Sequence, residues 1–227
     1  MNRHRILIVA VLVACALESA SAQQIASPAV YLEGELPAVP FFSMGVGGGE
    51  VILELTVTIN GSVSAVRPLR VTPSFVEPLA EAARSWRFSP AEEFVPPAER
   101  RPGERDKRPI ESKVLVAALI RPPTLNSPTF GEPVQDVSSP SLGTPFPLST
   151  TVPPYPATAY SPGVTLVELR LDPSGVVIGA RVVRSAPPFD DASLTAAGQW
   201  KFDPPRVRGV RSPSLVYVVF GFPRPVV

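Results

Sequence analysis

The residues in this chain best suited to chemistry are few, and the two most reactive types stand close to its start. His4 and Cys15 are its one histidine and one cysteine. Downstream of residue 22 there is neither, so that stretch can build no disulfide, no Cys/His zinc site and no histidine-based triad. No metal or other cofactor is expected. Glu54 and Glu168 hold equivalent places in two alternating apolar stretches. Both fall on the polar side of their stretch, where solvated strand carboxylates are a simpler reading than a catalytic pair. Trp86 and Trp200 could stack a ligand, yet each ends an apolar helical stripe and reads as core. Gly45-Val46-Gly47-Gly48-Gly49 has the composition of a phosphate cradle. Such a cradle follows a strand and opens a helix, whereas this one leads into a strand, so a flexible approach loop is expected. An enzyme is therefore not expected.

The elements that hold these residues repeat. Ser74 to Pro90 and Pro188 to Pro204 align without a gap at a shift of 114 positions. That shift superposes Phe75 on Phe189, Ala82-Ala83 on Ala196-Ala197, Trp86 on Trp200, Phe88 on Phe202 and Pro90 on Pro204. With 227 residues, 44% hydrophobic and 18% charged, the chain can bury a core as one large or two small domains. Its 30 prolines far exceed the usual share of about 5% and imply an extended linker.

The first residues read as an export signal: Arg3 and Arg5, an apolar run from Ile6 to Leu17, then Ala20-Ser21-Ala22 as a small-residue cleavage site. The run falls short of the roughly 20 residues a membrane-spanning helix needs. A second reading takes Leu12-Val13-Ala14-Cys15 as a lipobox, with Cys15 acylated. Cleavage after Ala22 removes Arg3, Arg5 and Glu18 from 21 basic and 20 acidic residues, leaving 19 of each. A neutral chain is a poor candidate for nucleic acid, whose binding rests on phosphate neutralisation.

After a loose lead-in over residues 23–36, Val51, Leu53, Leu55, Val57 and Ile59 alternate with mostly polar neighbours and predict a strand. Asn60-Gly61 predicts a hairpin turn. A second strand runs to Val71, and Pro68 marks it as an edge strand or a bulged one. Ser74 and Glu77 have capping-box spacing, Pro78 suits a first turn, and Phe75, Leu79, Ala82, Ala83 and Trp86 share a helical face. A charged, proline-broken loop over 92–109, mixed in sign, reads as a solvated excursion. Ser112 to Ile120 closes the unit as a third strand.

Residues 122–150 form a Pro/Ser-rich linker with almost no charge. The second unit repeats the order: Val167, Leu169 and Leu171 in a strand, a turn at Asp172-Pro173-Ser174-Gly175 that reads as longer than the first, and a strand from Val176 to Arg184. A helix over about Asp190 to Trp200, capped by Asp190 or Asp191, and a last strand from Leu215 to Gly221 complete it. The expected class is α+β: two tandem small domains, each a three-stranded antiparallel sheet with one packed helix in ββαβ order.

Strand, turn glycine, strand, alanine-rich helix and a Trp-x-Phe-x-Pro exit together resemble the C-terminal domain of TonB, the periplasmic energy transducer of Gram-negative bacteria. Pro154-Tyr155-Pro156 resembles that family's proline-tyrosine-proline opening, and Pro40-Phe41-Phe42 is a degraded version. The likeness covers about 37–121 and 151–223, with the second domain running to 227. It implies a small antiparallel sheet with a helix on one face. It also implies capture of an extended segment of an envelope receptor by pairing with an exposed sheet edge. The expected edges are the last strands of the two units, with Val114, Val116, Leu215, Tyr217 and Val219 as pairing residues. Three departures limit the transfer: an N-terminal apolar run too short to span, a proline-rich spacer between domains rather than before them, and the tandem copies. A periplasmic or secreted peptide-binding module follows, on the membrane only if Cys15 is acylated or the N-terminal segment is uncleaved. The alternative is an envelope scaffold that self-associates, or pairs its two copies, through edge strands.

Overall fold

Two nine-residue strands, one from each half of the chain, lie parallel at the centre of a seven-stranded sheet. The computed structural model describes residues 25–37, 47–123, 130–207 and 209–224. The expected export signal, Cys15 and Pro40-Phe41-Phe42 lie outside the described residues. The first half contains β1 (Ile25–Ser27), β2 (Val30–Glu33), β3 (Gly49–Val57), β4 (Val63–Val71), α1 (Pro73–Arg84), β5 (Arg87–Ser89), β6 (Ala91–Phe94), β7 (Lys107–Ile110) and β8 (Ser112–Ile120). Two short strands follow, β9 (Gln135–Asp136) and β10 (Phe146–Ser149). The second half holds β11 (Gly163–Leu171), β12 (Val177–Arg184), α2 (Asp190–Ala197), β13 (Lys201–Asp203), β14 (Arg206–Val207), β15 (Val210–Arg211) and β16 (Ser214–Phe222).

The sheet runs β12-β11-β16-β8-β3-β4-β9. Each half supplies an antiparallel trio, β4-β3-β8 and β12-β11-β16, so mixed α and β structure is present as expected. The halves are not separate sheets, however. β8 and β16 pair in parallel from Leu115↔Val216 to Ile120↔Gly221. This overturns the placement of Val114, Val116, Leu215, Tyr217 and Val219 on free edges: β8 lies between β3 and β16, and β16 lies between β8 and β11. The physical reason lies in the two sequences, Val-Leu-Val-Ala-Ala-Leu-Ile and Leu-Val-Tyr-Val-Val-Phe, which are apolar on both faces. Such strands are stable only when covered on both sides, and each leaves a row of backbone groups that the other satisfies.

Equivalent strands that meet in parallel relate the units by a rotation about the strand direction, which turns the second unit over. Val51, Leu53, Leu55 and Val57 share one core with Phe75, Leu79 and Ala83 of α1. Val167, Leu169 and Leu171 share the other with Ala196 and Ala197 of α2. The helices thus cover opposite faces. Phe75 sits over Gly49 and Phe189 over Gly163, where a Cβ would come within 2.5 and 2.4 Å of the ring. Both tryptophans are core, as expected, at 0% and 2% exposure. Trp86 Nε1 donates to the Glu35 carbonyl at 2.8 Å and Trp200 Nε1 to that of Thr151 at 3.3 Å. Burying either ring contributes on the order of several kcal/mol.

Several local expectations shift. The α1 N-cap position is Thr72, not Ser74. The Thr72 hydroxyl instead bonds the backbone of Glu50, and Ser74 bonds Glu132. Pro73 opens the helix, so Pro78 falls inside it, past the first turn. In α2 the N-cap position is Phe189, and Asp190 accepts from Ala186 N–H at 2.9 Å. The two hairpin turns have equal length: Gly61 N–H donates to Thr58 and Gly175 N–H to Asp172. The bulge expected at Pro68 is present, since the register passes from Arg70 to Pro68 and leaves Leu69 unmatched. It recurs at Val183, where there is no proline. The lead-in is ordered too, β2 pairing with β5 as β10 pairs with β13.

Candidate functional site

The sheet has two outermost main strands, β4 and β12, and their sequences place the same side chains at the same positions. A shift of 114 carries Glu54 onto Glu168, Arg67 onto Arg181 and Arg70 onto Arg184. In each unit the glutamate sits on the inner strand of the hairpin and the first arginine directly opposite, as Glu54↔Arg67 and Glu168↔Arg181. Cross-strand neighbours of opposite charge attract. Both pairs lie on the sheet face opposite their own helix. The expectation that these glutamates are solvated is corrected: Glu54 is 3% exposed and Glu168 8%.

In the first unit the cover comes from the linker. β9 adds to the β4 edge through Arg70↔Asp136 and Val71↔Gln135. Arg70 Nε donates to Asp136 Oδ1 at 2.6 Å, and its Nη1 donates to Glu50 at 2.9 Å. Beyond β9 the chain crosses the face. Ser141 N–H and Oγ donate to Glu54 at 2.8 Å each, and Thr144 Oγ1 donates at 2.6 Å. Arg67 adds bonds to Glu54 and to the Ser139 carbonyl at 2.7 and 2.8 Å. Burial alone would raise the Glu54 carboxyl. The bonds from Thr144, Arg67 and Ser141 outweigh it and hold the group below its usual range. Hydrogen bonding from Arg70 likewise holds Asp136 low. A segment that the sequence marks only as a Pro/Ser linker is thus fastened side chain by side chain.

The second unit keeps the receptor groups without that segment. Arg181 clasps Glu168 through Nε at 2.7 Å and Nη2 at 2.8 Å. Where the first unit has Leu115 beside its glutamate, the second has Tyr217. The Tyr217 hydroxyl donates to Glu168 Oε2 at 3.1 Å and accepts from Tyr31 N–H at 2.8 Å. Burial raises the Tyr217 hydroxyl well above its ordinary value, so it remains a proton donor. Glu168, Arg170, Gly179, Ala180 and Arg181 line a groove of about 170 Å³. Among the described residues β12 has no strand on its outer side, and Ile178, Ala180, Arg181 and Arg184 are exposed along it. The outward N–H and C=O groups and both arginines are therefore presented to solvent, Arg184 while its Nη1 donates to the Gly34 carbonyl at 3.3 Å.

Of the residues singled out for strand pairing, the structure buries Val114, Val116, Tyr217 and Val219 within the sheet. Tyr217 alone reaches the groove, through the Glu168 bond. The arginines, Asp136, Ser141 and Thr144 were not singled out by sequence, although the recurrence of Glu and Arg 13 residues apart at the repeat shift carries the signal. Among the described residues no group of three or more His, Cys, Asp or Glu is placed to hold a metal ion. Nor is any described helix long and apolar enough to cross a membrane.

Residues 152–222 match the family described as Gram-negative bacterial TonB protein C-terminal. The stretch spans β11, β12, α2 and β16, so the open edge lies inside the matched region. No curated protein and no solved structure matches the chain.

Proposed function

We propose that the chain is a periplasmic, non-catalytic binding protein of cell-envelope transport that captures an extended peptide segment by strand addition at β12. The observation that carries this reading is an edge whose outward backbone has no partner strand among the described residues, with an adjoining groove, inside the stretch that matches a TonB C-terminal domain. Strand addition draws affinity from backbone hydrogen bonds and selectivity from side-chain pockets beside the edge. Glu54, its carboxylate held in a mesh of donors, and Glu168, clasped by Arg181 and Tyr217, read as structural anchors rather than as a catalytic pair.

A second reading, an envelope scaffold, draws on the β8–β16 junction, which shows that long edge strands in this chain do pair. That junction is internal and leaves β12 free for a partner. Titration of the labelled full chain with extended peptides from outer-membrane receptors separates the two readings. Backbone shifts confined to 176–184 and the facing residues of β11 support capture. Saturable binding with shifts elsewhere, or no binding to any such peptide, overturns it.

A further inference from the structure

The first unit shows what its twin is built to hold. We infer that the β12 groove recognises a partner segment that carries an acidic residue followed about five residues later by a serine or threonine, the acid on Arg184 and the hydroxyl on the Glu168–Arg181 pair. This rests on the strand-addition reading and adds the side-chain code. The template is the chain's own segment: Asp136 on Arg70, then Ser141 on Glu54 and Arg67. Arg70, Glu54 and Arg67 recur at the repeat shift as Arg184, Glu168 and Arg181.

The differences between the units sharpen the code. Tyr217 fills one oxygen of Glu168, the oxygen that corresponds to the one bonded by Thr144 and Ser141 N–H in the first unit. The partner therefore needs one hydroxyl rather than two, and Glu168 Oε1, which accepts from Arg181 Nε, has a lone pair to receive it. Charge points the same way. Glu50, which shares Arg70 with Asp136, becomes Val164, while Thr56 with its bound Lys113 becomes Arg170 opposite Leu215, so the cation is kept and one carboxylate is lost. Arg170 and Arg181 line the groove with Glu168, Arg184 lies three residues beyond Arg181 on the same strand, and an acidic partner offsets this surplus of cations. The chain's own lead-in meets Arg184 through a neutral group, Arg184 Nη1 donating to the Gly34 carbonyl at 3.3 Å, and the stretch before β2 lies elsewhere, β1 pairing with β6 through Ile25↔Glu93 and Ser27↔Glu92.

The test uses the full chain and a labelled peptide with the sequence of residues 130–145, followed by fluorescence anisotropy and amide shifts. The peptide is expected to bind with shifts along 176–184, and Arg184→Ala should weaken it about tenfold. Asp→Asn at the position of residue 136 in the peptide should cost a similar factor, and Ser→Ala at that of 141 about threefold. Arg70→Ala in the protein should leave binding unchanged. If the wild-type and both altered peptides bind β12 equally, the code is wrong while strand addition stands. If the peptide binds nowhere on β12, but other extended peptides do, the code fails alone; if none do, both fail. Loss with Arg70→Ala instead of Arg184→Ala shows exchange at the first unit and overturns the inference. Sedimentation of the unliganded chain as a dimer that Arg184→Ala dissolves would make a second copy the occupant and overturn it as well.

Discussion

The two units carry one set of edge residues and use it differently. β4 is closed by β9, and its Glu54–Arg67 pair is roofed by Ser141 and Thr144. β12 has the same glutamate and arginines, a tyrosine in place of part of the roof, and an open outer side among the described residues. One half thus covers part of its outer strand with a segment of the same chain, while the other leaves the corresponding strand open among the described residues. On the proposed reading, the covered edge is the template for what the open one accepts.

The largest effect that can break this comparison lies in the shared core. Trp86→Ala or Trp200→Ala should each cost about 3–5 kcal/mol. Because both units contribute to one sheet, each should lower a single cooperative transition in chemical denaturation. Two separate transitions, only one of them moved, would mean that the units fold independently and that the β8–β16 junction contributes little.

Next in size is the contrast between the glutamates. Glu54→Gln should destabilise by about 2 kcal/mol, because Ser141 and Thr144 lose a charged acceptor while the exposed side of Arg67 softens the loss. Glu168→Gln should cost about half that, with fewer donors depending on it. Equal costs would remove the distinction between a roofed and an open pair. The same contrast appears against pH. The folded-state value of Glu54 lies below its ordinary 4.5. Its contribution is therefore fully present above that ordinary value and is lost as pH falls through the lowered one. Acid unfolding of the Glu54→Gln variant should accordingly be flatter below pH 4.5 than that of wild type. Asp136→Asn should have the smallest effect, about 0.5 kcal/mol. It should speed amide exchange at Arg70 and Val71 without altering β12.

How far these contrasts were legible beforehand depends on the range of the interaction. Alternation from Val51 to Val57, the turn glycines, the alanine-faced helices and the Pro68 bulge are local and appear where the sequence places them. The tryptophans are core because each closes an apolar stripe that has one place to go. Pairing of β8 with β16 is a long-range choice between two apolar edges: it is the alternative in which the two copies pair through edge strands, and periodicity within either strand does not select it. The burial of Glu54 was hidden for a related reason: its cover arrives from Ser141 and Thr144, 87 and 90 residues away, in a stretch whose composition suggests only a spacer. Capping misled because the helix begins one residue before Ser74, whose hydroxyl bonds Glu132, 58 residues away, in place of its own helix end.

The most direct test of the central claim is amide hydrogen exchange across the full chain, with and without a saturating receptor-derived peptide that carries an acid and a hydroxyl five residues apart. The account predicts that amides of Val177–Arg184 gain protection on binding while those of Arg70 and Val71, already paired with Asp136 and Gln135, do not change. Protection gained at β4 with β12 unaffected would contradict it, as would β12 amides that are fully protected in the unliganded chain.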